Sequence, residues 1–128
     1  MTAAWLVGIG LISVALGALS GFALTAAVDF PDSLRRFHVV DPRRIRQAHL
    51  DWIIMGIMLI VVGLAVPGLP WPITAAVAVG GVVNPLTFVP MIFSKTVIQR
   101  RWFMAVSYAS FTTLTLGLIG AAIWHFAA

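Results

Sequence analysis

The residue of this chain best suited to chemistry is His49, one of three histidines. A neutral imidazole can bind haem iron or another metal, and it can also move protons. The alternative is an interfacial histidine that caps the start of a helix, and the residues alone leave both interpretations open. The chain has no cysteine. This excludes disulfides, thiolate metal sites, iron–sulfur clusters and cysteine nucleophiles.

Asp51 lies two residues after His49. On a helix this spacing separates two side chains by roughly 200°, so they do not point into one pocket of the same subunit. We expect Asp51 to pair with an arginine, such as Arg46 or Arg100, or to stabilise the N-terminus of the helix that it opens. An ionisable side chain inside a membrane span is costly and marks a functional hypothesis by default.

Asn84 is the other polar candidate, and it directly precedes Pro85. A proline leaves a carbonyl of the preceding turn without its helical donor. Asn84 therefore either satisfies that carbonyl or lines a pocket. His125, beside a tryptophan, is expected at a membrane interface, and His38 is expected in a solvated loop. No carboxylate pair, phosphate loop, zincin motif or Ser–His–Asp arrangement is present, so hydrolysis by a standard route has no support.

The elements that position these residues are predicted to be transmembrane helices. The chain has 128 residues, 61% of them hydrophobic and 9% charged, whereas soluble domains have about 25% charged residues. Four apolar stretches, about 3–28, 48–66, 73–94 and 102–126, predict a single all-α domain, an integral membrane four-helix bundle. The first stretch is too long for a signal-peptide core and lacks a basic start. Pro85 and Pro90 predict a kink in the third span.

The basic residues predict how the bundle is oriented. All eight fall in the first and third loops, about 29–47 and 95–101: Arg35, Arg36, Arg43, Arg44, Arg46, Lys95, Arg100 and Arg101. The positive-inside rule then puts these loops in the cytoplasm and both termini outside. The net charge of +4 therefore indicates membrane topology in a multi-pass plasma (inner) membrane protein, and not binding to nucleic acid. Glycines such as Gly17 and Gly21 predict close helix packing and a homo-oligomer.

The segment Gln47-Ala48-His49-Leu50-Asp51, followed by Gly56, resembles the second-helix pattern of hydroxylaminobenzene mutases. It is also similar to the Arg-Ala-His…Gly pattern of styrene oxide isomerases, and both families are small four-helix membrane proteins. Asn84, after Gly80-Gly81-Val82-Val83, resembles the third-span asparagine of the isomerases. The resemblance covers most of the chain through a few specific positions, and the span count and first basic loop agree with it.

The resemblance implies an enzyme. Styrene oxide isomerases are trimers that bind haem b between subunits through the span-two histidine. Their ferric iron opens the epoxide as a Lewis acid, and a hydride shift then gives the aldehyde. By this resemblance His49 is the iron ligand, Asn84 is a catalytic residue that orients substrate or ligand, and the chain forms a homotrimer. The substrate would be a small apolar aromatic epoxide or arylhydroxylamine that enters from the lipid bilayer.

Two further sets of residues follow from the haem hypothesis. Met55 and Phe88 would line an apolar substrate pocket. Guanidinium groups near His49 could hold the haem propionates bidentately, and the candidates are Arg43, Arg44, Arg46, Arg100 and Arg101.

The chain departs from the isomerase pattern at three polar positions. Met55 replaces an asparagine six residues after the histidine, Gly80 replaces an acid, and Phe88 replaces a tyrosine. In the family these polar groups help to hold the substrate or the surroundings of the cofactor. Two alternatives therefore stand beside the enzyme: a non-catalytic membrane haem protein, either sensor or electron carrier, and a structural membrane protein without a cofactor.

Overall fold

The computed structural model describes all residues from Met1 to Ala128, and it contains helices and no strands. Four helical segments are long and apolar enough to cross a membrane: Ala3–Asp29, Pro42–Ala65, Trp71–Phe93 and Arg101–Ala127. These findings confirm the all-α fold class and the four candidate membrane spans.

Six α-helices make up these segments and their connections. They are α1 (Ala3–Asp29), α2 (Pro31–Arg36), α3 (Pro42–Ala65), α4 (Trp71–Leu86), α5 (Phe88–Phe93) and α6 (Arg101–Ala127), with a 3-10 turn at Val97–Gln99. The third span consists of α4 and α5. The third span is interrupted at Thr87, between Pro85 and Pro90. Neither proline can donate a backbone hydrogen bond, which weakens the helix at this point.

The first predicted loop is largely helical. Residues 31–36 form α2, and α3 begins at Pro42, six residues before the predicted start of the second span. Proline suits the first turn of a helix because its fixed φ is helical and its missing N–H is not needed there. The expectation that His49 and Asp51 open this helix is therefore wrong, since both lie about two turns or more inside it.

α1 and α3 form an antiparallel pair whose backbones approach closely at glycines. A Cβ atom built on Gly10 would lie 2.6 Å from the carbonyl oxygen of Gly56, and one on Gly56 would lie 2.8 Å from that of Gly10. Gly63 meets Ala3 in the same way. Only glycine allows the two backbones to come this close. The close approach increases the dispersion attraction between the helices.

α4 and α6 form a second antiparallel pair. A Cβ atom on Gly80 would lie 2.8 Å from the Cα atom of Leu114, and one on Gly117 would lie 2.9 Å from Val77. The two pairs meet where Leu59 of α3 packs on Gly81 of α4. The central core lies at this junction and consists of Ala3, Leu6, Leu59, Leu69, Val77, Ala78, Leu114 and Ala121.

The antiparallel arrangement gathers every basic residue at one end of the bundle. This basic end comprises α2, the start of α3, the end of α5 and the start of α6. Both chain termini and the turn at 66–70 lie at the opposite end. Exposed tryptophans occur at both ends, with Trp102 at the basic end and Trp5, Trp71 and Trp124 at the other, as expected for interfacial aromatic residues.

Candidate functional site

The imidazole of His49 is held against α1 by hydrogen bonds. Its Nδ1 lies 2.7 Å from the carbonyl oxygen of Gly17 and 3.0 Å from Oγ of Ser20. The Ser20 hydroxyl donates to the same carbonyl at 2.6 Å. A carbonyl oxygen can only accept, so Nδ1 must carry the proton that it donates. In the neutral ring this leaves Nε2 unprotonated, with a lone pair available to a ligand.

Small residues of α1 provide the space for this ring. A Cβ atom on Gly21 would lie 3.3 Å from Cε1 of His49, and one on Gly17 would lie 2.6 Å from the Ile53 side chain. The closeness of the two helices brings the Gly17 carbonyl within reach of His49. Gly17 and Gly21 were predicted from the sequence to be packing residues, whereas Ser20 and the contact of this segment with His49 were not predicted.

The second ring nitrogen of His49 is free. Nε2 has no hydrogen-bond partner in the chain, whereas Nδ1 has two neighbours. Ser107 Oγ is the only fully buried side-chain polar atom without a hydrogen-bond partner, so Nε2 is not fully buried. The histidine is half-buried. The free Nε2 therefore leaves one ring nitrogen of His49 available to a ligand.

An apolar cavity of about 360 Å³ lies beside this histidine. Ser20 lines the cavity and its hydroxyl contacts His49, which is not itself a wall residue. The volume is more than twice the roughly 150 Å³ of an apolar cavity that holds benzene. The remaining walls come from α1, α2, α3, α5 and the α2–α3 connection: Ala23, Leu34, Phe37, Val39, Ile45, Ala48, Trp52, Val89, Ile92 and Phe93.

Asn84 lies at the interface of α4 and α6. Its Oδ1 accepts a hydrogen bond of 2.9 Å from Ser110, and its backbone carbonyl accepts one of 2.6 Å from Thr87. No hydrogen bond runs from its side chain to the carbonyl freed by Pro85, so the kink-satisfying interpretation is not observed. His49 contacts α1 and Asn84 contacts α6, and neither residue lines the apolar cavity. A single subunit does not bring the two into contact.

The two residues predicted to line a substrate pocket lie elsewhere in the subunit. Met55 packs against the central core, and Phe88 begins α5. Neither is among the walls of the apolar cavity, to which α5 contributes Val89, Ile92 and Phe93 instead. These three residues follow Phe88 on the same short helix, so Phe88 adjoins the wall of this cavity in sequence without lining it, and its assignment to a substrate pocket stays a prediction.

The arginines near the site fall into paired and unpaired groups. Arg43 and Arg44 form ion pairs with Asp41 at 3.4 and 3.5 Å. Arg46 is exposed and forms no ion pair, and it lies one turn before His49 on α3. Arg100 and Arg101 are likewise exposed and unpaired, but they begin α6, which packs on α4 and has no extended contact with α1 or α3.

Asp51 does not form the expected ion pair. The salt bridges of the chain join Arg35 to Asp32 and two arginines to Asp41, so the prediction that Asp51 pairs with Arg46 or Arg100 is wrong within one subunit. The residue at the start of α3 is Asp41, not Asp51. The physical reason is the early start of α3, which puts Asp51 nine residues beyond Pro42.

The fold and the site together define a helical protein with four candidate membrane spans and one histidine whose Nδ1 is hydrogen-bonded to a backbone carbonyl. The chain gathers no group of three or more side chains that could hold a metal ion, so a metal hypothesis depends on His49 as a single ligand. No family model, no curated protein and no solved structure matches the chain.

Proposed function

We propose that this chain is an intramembrane isomerase or mutase that uses haem b and rearranges a small apolar aromatic substrate, an epoxide or an arylhydroxylamine. The observation that carries the proposal is the hydrogen bond from Nδ1 of His49 to the Gly17 carbonyl, 2.7 Å long. Histidines that ligate metals almost always donate their other N–H to a carbonyl, a carboxylate or water, which orients the ring and raises its basicity. His49 has this arrangement on one nitrogen and a free lone pair on the other.

The depth of His49 also fits a haem. α3 has 24 residues and is about 36 Å long, somewhat more than the roughly 30 Å hydrocarbon core. His49 lies about 10 Å from the start of the helix, just inside the apolar region. Arg46, one turn closer to the headgroups, is free to bind a propionate bidentately.

The other arginines proposed to bind a propionate differ in whether they already form an ion pair. Arg43 and Arg44 share the basic end with His49 but are paired with Asp41. Arg100 and Arg101 are exposed and unpaired on an element that packs on α4. In the proposed homotrimer they would hold a propionate of a haem shared with a neighbouring subunit.

The residues of the site have distinct roles in this proposal. Bound haem would supply a ferric Lewis acid that polarises the substrate oxygen without net redox change. Gly17 and Ser20 hold the imidazole through Nδ1, and the apolar cavity would take up substrate from the lipid. Asn84 would orient the substrate from a neighbouring subunit. The protein would be a multi-pass plasma-membrane protein with both termini outside.

A second candidate is a non-catalytic haem protein, and the contact at Gly80 favours it. A side chain there would collide with the backbone of Leu114, so this packing has no room for the acid of the isomerases. Met55, which replaces the family's asparagine, packs against the central core. This candidate keeps His49 as the ligand and predicts six-coordinate iron without an open position. The isomerase predicts an open sixth position that binds small exogenous ligands.

The proposal is tested by the haem content of histidine variants. We expect His49→Ala, purified in detergent with haem supplied, to lose the Soret band of the wild-type protein. His38→Ala and His125→Ala are matched controls that should keep it, because His125 lies at the opposite end of the bundle and His38 precedes α3. A wild-type Soret spectrum and haem content in His49→Ala would contradict the ligand assignment.

A further inference from the structure

We infer that the chain carries a binding site for the headgroup of an anionic phospholipid, in a cavity that includes neither His49 nor Arg46 but shares Arg43 and Arg44 with the candidate propionate partners. The site is a cavity of about 210 Å³ between the start of α3 and the end of α5. We call it the basic cavity. Its polar lining consists of Asp41, Arg43, Arg44, Ser94 and Lys95.

Arg44 is held in position before any ligand binds. Its Nε lies 3.5 Å from Oδ2 of Asp41, and its Nη1 donates a 2.6 Å hydrogen bond to Oε1 of Gln47. The side chain of Asp41 is 15% exposed and that of Arg44 is 29% exposed. A guanidinium fixed on two sides loses little conformational entropy on binding, and its remaining N–H groups form a fork that suits a phosphate.

The charge of the basic cavity favours an anion. Two arginines and one lysine line it with a single carboxylate, so its formal net charge is about +2 by this count. Lys95 forms no ion pair and is exposed, which leaves its ammonium free for a ligand. Ser94, whose Oγ lies 3.4 Å from Oγ1 of Thr96, adds a hydroxyl to the lining.

The position and the walls of the basic cavity favour a lipid over a free phosphate. α3 is about 36 Å long and the hydrocarbon core is roughly 30 Å thick. The first turn of α3 therefore extends beyond the core and into the headgroup layer. Met91 and Ile98 form an apolar part of the lining, and Ile98 is exposed. Basic pockets at the ends of transmembrane helices bind anionic headgroups in this way. The ligand is therefore a phosphate that continues into apolar chains.

The test measures lipid retention. The whole protein is reconstituted in nanodiscs with equal phosphatidylglycerol and phosphatidylcholine, and native mass spectrometry then counts the lipid that stays bound. We expect phosphatidylglycerol to be enriched on the wild-type protein. Lys95→Gln and Arg44→Gln should each weaken that retention about fivefold or more. Lys95 has no partner in the chain, so Lys95→Gln keeps the proposal testable if loss of the Asp41 pair impairs folding in Arg44→Gln.

Arg36→Gln is the matched control. It removes one charge at the same basic end from a side chain outside the basic cavity, and it should retain phosphatidylglycerol like the wild type. Equal losses in Arg36→Gln and Lys95→Gln would show diffuse attraction and overturn the proposal. Displacement of the lipid by millimolar inorganic phosphate would overturn the assignment to a lipid. The result does not depend on haem, because the same outcome is expected in His49→Ala.

Discussion

At the scale of single residues, the tautomer of His49 is the most informative feature. Its Nδ1 is held by the Gly17 carbonyl at 2.7 Å, while Nε2 stays free. The carbonyl acceptor at Gly17 and the space left by Gly21 together fix the orientation of the ring. The ring is therefore oriented by its surroundings before any ligand is present.

This geometry predicts a spectroscopic signature. In protein labelled with ¹⁵N-histidine and prepared without haem, we expect neutral His49 to show a protonated Nδ1 and an unprotonated Nε2. His49→Gln identifies the signal by its loss. The physical reason is that only a protonated Nδ1 can donate to the carbonyl. Observation of the Nε2–H tautomer would contradict the hydrogen bond and weaken the haem proposal.

At the scale of elements, glycines set the distance between paired helices. α1 and α3 touch backbone to backbone at Gly10 and Gly56, and α4 and α6 do so at Gly80. The contact of α1 with α3 also positions Gly17 against His49, so the packing of this pair and the candidate site depend on each other.

Two glycines of α1 provide a matched pair of substitutions. Gly10→Ala should destabilise the protein by about 1–3 kcal/mol, because its Cβ would lie 2.6 Å from the Gly56 oxygen. Gly8→Ala should be neutral or stabilising by up to about 1 kcal/mol, because nothing lies within 4 Å of that Cβ. Denaturant titration in mixed micelles, followed by circular dichroism, measures both. Equal stability of the two variants would show that the close contact is absent.

At the scale of the whole molecule, the antiparallel order of the helices separates a basic end from an uncharged end. All eight Lys and Arg residues lie at the basic end. By the positive-inside rule, an end of this kind faces the cytoplasm. The basic cavity, Arg46 and the approach to His49 all lie at this end.

The topology is tested with reporter fusions. An alkaline phosphatase fused after Ala128 should be active, because the C-terminus is predicted to face outside, and a green fluorescent protein at the same point should be dark. Fusions truncated after Lys95 are the control and should show the reverse. An active phosphatase at Lys95 together with a fluorescent C-terminal fusion would overturn the proposed orientation.

The sequence by itself determined the all-α class, the four spans and the shared end of the basic residues. It did so because lipid forces every backbone group into internal hydrogen bonds, so an apolar stretch of sufficient length must be a helix. It missed the true start of α3, because hydropathy detects the part of a helix in lipid and not the arginine-rich turns that extend beyond it.

Only the tertiary structure decided how the candidate residues are held. His49 bonds to Gly17, 32 residues away, and Asn84 bonds to Ser110, 26 residues away. Such partners depend on the register of packed helices, and that register is set by backbone contacts at Gly10, Gly56 and Gly80. The sequence showed small residues suited to close packing, but the partner of each one, and hence the free nitrogen of His49, follows from the three-dimensional packing alone.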